Sequence, residues 1–108
     1  MEQKAFNSIV RGEMSRSLDT LSAKADEYVN GEDRLSNFKQ AAVLQSCTPV
    51  QALGGMMAKH VVALFDFIAR DEPDPERWTE KIGDIHNYLY LLTAILAEKG
   101  AESRPWNR

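Results

Sequence analysis

The sequence predicts an all-α protein of about four helices in a compact bundle, and three observations carry that expectation. Apolar residues recur at steps of three and four along most of the 108 residues. Gly (6) and Pro (4) are too scarce for a turn-rich β-sandwich. Helix start and stop signals fall where the apolar periodicity breaks.

The first element covers residues 4–29. Phe6, Ile9, Val10, Met14, Leu18, Leu21, Ala25 and Tyr28 form one apolar stripe with no proline in it. Asn30-Gly31 ends it, because both residues readily take the left-handed conformation. The second helix covers residues 34–44, with Leu35, Phe38, Ala41, Ala42 and Leu44 at helical spacing. Thr48-Pro49-Val50-Gln51 opens the third: Pro suits the first helical position, and Thr with Gln three residues later is a capping box. That helix runs to residue 70 through Met56, Met57, Val61, Val62, Leu64, Phe65, Phe67 and Ile68. Gly54 and Gly55 weaken it by about 1 kcal/mol each relative to Ala. They mark a close crossing, a ligand approach or a later helix start.

Residues 71–75 are the clearest break. Asp74 is a good N-cap and Pro75 a good first residue for a helix over 75–99. Trp78, Ile82, Ile85, Leu89, Leu92, Ile95 and Leu96 line it, and Tyr88, Tyr90 and Leu91 broaden the apolar arc. Such a helix belongs at the centre of the bundle or in an oligomer interface. Gly100 closes it, leaving one helical domain over 1–99 and a polar tail over 100–108.

A formal net charge of −3 argues against a duplex-DNA binder, whose affinity would rest on a basic face. A local cluster of Lys and Arg can still take a small anionic ligand. The single Cys47 has no internal disulfide partner. The start MEQKAFNSIV lacks the basic and apolar regions of a signal peptide. The longest apolar run, residues 88–92 and 94–97 around Thr93, is too short to span a bilayer. These features lead to the expectation of a cytoplasmic protein with no membrane contact.

Polar residues in apolar surroundings are the candidates for chemistry. Glu80, Asp84 and Asn87 fall at i, i+4 and i+7, on one face of the last helix. Two carboxylates a turn apart suit a hard cation such as Mg²⁺ or Mn²⁺, although carboxylates near a helix start also favour its dipole. Lys59-His60 interrupts the apolar run of the third helix; Lys59 can meet phosphate, and His60 can stack on a base or bond within the core. Lys24 to Tyr28, followed by Gly31 to Phe38, is dense in donors and acceptors, Lys24 and Asn37 among them. Read structurally, the same stretch is a helix end and a capped helix start. Walker A, GxGxxG, HExxH and nucleophile-elbow patterns are all missing from the sequence.

The order of these pieces resembles the nucleotide modification associated domain 1 family of phages and prophages. Lys24 to Tyr28, Asp33-x-Leu35-Ser36-Asn37-Phe38, a helix with Lys59, and Asp84-Ile85-His86-Asn87-Tyr88 carry the resemblance over residues 18–96. That family is similar to the all-α NTP pyrophosphohydrolases, the MazG and dimeric dUTPase group, so the resemblance implies a MazG-like bundle and nucleotide chemistry with Mg²⁺. Those enzymes carry a Glu-x-x-Glu pair early and a Glu-x-x-Asp pair later. Here Lys81 stands three residues before Asp84, and Asp26 and Glu27 are adjacent. The carboxylate set is incomplete for two metals.

The expected function is a phage helical protein that binds a nucleotide or modified base, active as a pyrophosphohydrolase only weakly or no longer. Asp84 and Glu80 would hold Mg²⁺ or Mn²⁺, Asn87 and Asn37 would read base or sugar, and Lys24 and Lys59 would meet phosphate. The alternative is a non-catalytic homo-oligomer that acts as a protein-protein interaction module, for example on a host factor. Excess apolar surface on the last two helices favours it.

Overall fold

The structure is a computed structural model, and it describes residues 1–23 and 33–100. The described residues are all-α: α1 (Gln3–Ala23), α2 (Ser36–Gln45), α3 (Pro49–Ala69) and α4 (Pro75–Glu98), with no strand among them. By internal contacts the chain divides into two units, Met1–Glu32 and Asp33–Arg108. Lys24 and the Asn30-Gly31 stop signal lie outside the described residues.

In the first unit, α1 is an uninterrupted helix of 21 residues. Phe6, Val10, Met14 and Leu18 follow one another at steps of four, which turns them along one side.

In the second unit, α2 and α4 each pack on α3. Local chemistry sets each boundary. Asp33 begins α2: its carboxylate accepts the Leu35 N–H at 2.9 Å and pairs with Lys39. That pairing, followed by the Leu35 N–H, holds the Asp33 carboxyl below its ordinary value. Lys39 also pairs with Glu98, which ties the start of α2 to the end of α4. α2 ends on Ser46, whose φ of 54° is left-handed, with the Cys47 N–H donating to Ala42 O at 2.9 Å.

The capping box at Thr48 is present in both directions. The Gln51 N–H donates to Thr48 Oγ1 at 3.1 Å, and the Thr48 N–H donates to Gln51 Oε1 at 2.9 Å. The helix therefore starts at Pro49, and Gly54 and Gly55 lie inside it. A Cβ at either position would meet nothing within 4 Å, so among the described residues of the chain neither lies at a close helix crossing. Asp71 ends α3 in the left-handed region with φ 53°, a conformation Asp adopts more readily than most residues. Asp74 then caps α4, accepting the Glu76 N–H at 2.9 Å.

The short connection makes α3 and α4 antiparallel neighbours. Phe67 meets Trp78 edge-on at 5.6 Å near the corner, His60 meets Tyr88 at 5.3 Å midway, and Leu53 shares a core with Ile95 at the far end. That core is Leu35, Phe38, Leu53 and Ile95, with Val50, Met56, Tyr88, Leu91 and Leu92 packed around it. Burying each large side chain there contributes about 1.5–3 kcal/mol. At the corner the Glu72 carboxylate is 3% exposed and accepts from Arg70 at 2.7 Å and Arg77 at 3.2 Å. The Trp78 indole N–H donates to the Glu72 carbonyl at 2.8 Å, and the Arg70 guanidinium lies 5.1 Å over the Phe67 ring.

The core is thin. α3 is long and apolar enough to cross a membrane by length and composition, more so than the run over 88–97. Only 11% of its most apolar window is buried.

Candidate functional site

The polar residues of α3 and α4 meet midway along the hairpin. His60 lies on the same side of α3 as Leu53, Met56 and Phe67, at i−7, i−4 and i+7, and so faces α4. On α4, Lys81, Asp84 and Tyr88 fall at i, i+3 and i+7 and face back. The antiparallel register brings the two sets level. Nδ1 of His60 stands 3.1 Å from Lys81 Nζ and 3.5 Å from Asp84 Oδ2, and its ring tilts 42° against Tyr88.

Electrostatics settle the state of the ring. Burial pushes the His60 pKa below its ordinary value, and Lys81 and Lys59 push it the same way while Asp84 opposes them. The imidazole is therefore neutral at pH 7, accepts from the Lys81 ammonium on Nδ1, and carries its proton on Nε2. Asp84 is half-exposed, with its Oδ2 beside the ring.

Asn87 is the unusual group. Its Oδ1 is buried and has no hydrogen-bond partner. A buried carbonyl oxygen without a partner costs about 1–3 kcal/mol and calls for a reason. Lys59 and Asn87 each precede a member of the contacting pair His60 and Tyr88. In antiparallel helices a step of one residue back turns both side chains to the same flank. An exposed ammonium and a buried amide oxygen thus share one level of the hairpin.

The other expected residues stand as follows. Glu80 is exposed, one turn before Asp84. Asn37 is exposed in the first turn of α2, on the motif whose Leu35 and Phe38 enter the core. Lys24 lies outside the described residues. Asp66 pairs with Arg70 at 2.9 Å on the outside of α3. Among the described residues no three His, Cys, Asp or Glu side chains converge as metal ligands. The described donor set, Asp84 beside the His60 imidazole with Glu80 a turn away, does not by itself fit the Mg²⁺ or Mn²⁺ that the resemblance implies.

Two arrangements escaped the sequence reading. Lys81 entered it only as a departure from a motif, although its spacing to Asp84 and Tyr88 put all three on one face. Glu72 was read as part of a loop; its place between Arg70 and Arg77 was the available signal. The chain matches no protein-family model, no curated protein and no solved structure.

Proposed function

We propose that the flank of the α3–α4 hairpin carrying Lys59, Asp84 and Asn87 binds a nucleotide or a modified base, in a cytoplasmic protein of phage or prophage origin. The reading rests on the buried, partnerless Oδ1 of Asn87 at the level of the Lys59 ammonium. A base N–H or exocyclic amine supplies the donor that Oδ1 lacks, and Lys59 meets phosphate oxygens as a point charge. Asp84 stands beside His60 at the edge of this flank. No hydrolytic step follows from these residues, so binding is the whole of the assigned activity.

The test is thermal melting against a panel of ribo- and deoxynucleotides, with and without Mg²⁺ or Mn²⁺. A ligand at about 100 times its Kd stabilises by roughly 2.7 kcal/mol. Asn87→Leu should remain folded and lose the shift, and Lys59→Ala should weaken it for phosphorylated ligands only. A flat panel for the wild-type chain overturns the proposal.

A second reading, the interaction module, is favoured by apolar residues left outside the second unit's core. Val43, Leu44, Val62, Phe65, Leu89 and Tyr90 are all exposed.

A further inference from the structure

The outer face of α3 carries a regular repeat of its own, apart from the inner face that packs on α4. Gln51, Gly55, Ala58, Val62, Phe65 and Ala69 are all exposed and follow one another at steps of four, three, four, three and four. That is the spacing of a helix-pairing seam. It runs along the side of α3 opposite His60, and Val62 and Phe65 remain 69% and 64% exposed.

We propose that this seam pairs with the same seam of a second copy of the chain, antiparallel about a two-fold axis near residue 60. The proposal takes up the interaction reading and names its partner; it does not depend on nucleotide binding. The seam is complementary to itself in size. On one side of residue 60 stand the small Gly55 and Ala58, and on the other the large Val62 and Phe65, while Gln51 falls opposite the small Ala69. Antiparallel pairing sets Phe65 of one copy over Gly55 of the other and Val62 over Ala58, so that each residue contact is repeated by symmetry. Parallel pairing would stack Phe65 on Phe65 and leave a gap between the glycines.

Charge agrees with size. Lys59 and Asp66 flank the seam on one side, both exposed. Helical side chains lean toward the N-terminus of their own helix. In antiparallel copies, Lys59 of one and Asp66 of the other therefore lean toward each other, while the two Lys59 side chains lean apart. A lipid surface is the competing occupant for so apolar a helix, but lipid would gain nothing from the alternation of small and large residues.

Sedimentation equilibrium of the full chain over a concentration series decides the matter. The wild type should pass from monomer to dimer. Gly55→Leu should raise the dimer Kd at least tenfold with no loss of Tm in dilute solution, because a Cβ at Gly55 meets open space within the chain. Asp66→Lys should weaken the dimer as well, and Lys59→Asp combined with Asp66→Lys should restore it. A wild-type chain that stays monomeric, or a dimer indifferent to Gly55→Leu, overturns the proposal. So does flotation of a monomeric chain with phosphatidylcholine vesicles, which would assign the seam to lipid. Nucleotide melts on the Gly55→Leu chain keep the two readings separate, since that substitution leaves Lys59, Asp84 and Asn87 in place.

Discussion

His60 Nδ1 lies 3.1 Å from the Lys81 ammonium, a contact that the neutral imidazole accepts and the imidazolium opposes. The folded pKa of His60 is therefore below the ordinary 6.5, with burial the larger cause and Lys81 the next. Above 6.5 the ring is neutral in both states, and its contribution to stability is fully present and independent of pH. As pH falls through it, the unfolded chain takes up the proton first, so stability is lost until the folded ring also titrates. His60→Gln should flatten the change in urea midpoint between about pH 7.5 and about pH 5.5 relative to the wild type. Equal slopes in the two proteins would mean that the ring titrates alike folded and unfolded.

Glu72 should matter more than a loop carboxylate ordinarily does. Its carboxylate is 3% exposed and joins Arg70 and Arg77 across the hairpin corner. Both guanidiniums reach solvent, so their release costs less than stranding a buried charge. Glu72→Ala should destabilise by about 1–3 kcal/mol in chemical denaturation. Glu72→Gln, which keeps one acceptor, should lose less. A loss under about 0.5 kcal/mol for the alanine variant would show that helix packing alone holds the corner.

Leu53 and Leu44 offer a controlled comparison of one residue type in two places. Leu53 is 1% exposed at the junction of α2, α3 and α4, whereas Leu44 is 86% exposed at the end of α2. Leu53→Ala should cost about 2–5 kcal/mol through lost burial and the cavity left behind. Leu44→Ala should stay within about 0.5 kcal/mol. Similar losses at the two positions would contradict the assigned core.

The elements were legible because their signals are local. Thr48, Pro49 and Gln51 sit within one turn and satisfy each other's backbone groups, and Asp74 does the same before Pro75. Of the three readings of Gly54 and Gly55, the later helix start is the one overturned, because the capping box at Thr48 starts α3 at Pro49. Glu80, Asp84 and Asn87 fall on one face by spacing, yet spacing could not say that Asp84 would meet the His60 imidazole. The partnerless state of Asn87 was invisible for the same reason.

The sequence by itself determined that the chain is helical, where the described helices begin, and which residues share a face, because these follow from interactions within four residues of one another. Tertiary structure alone decided which face of α3 turns inward. Both of its sides are apolar, so periodicity offers no preference. The choice falls to the packing of Leu53 against α4 and the contact of His60 with Lys81, which join positions 21 residues apart or more. Only the fold brings such positions together, and with them it leaves Val62 and Phe65 facing outward.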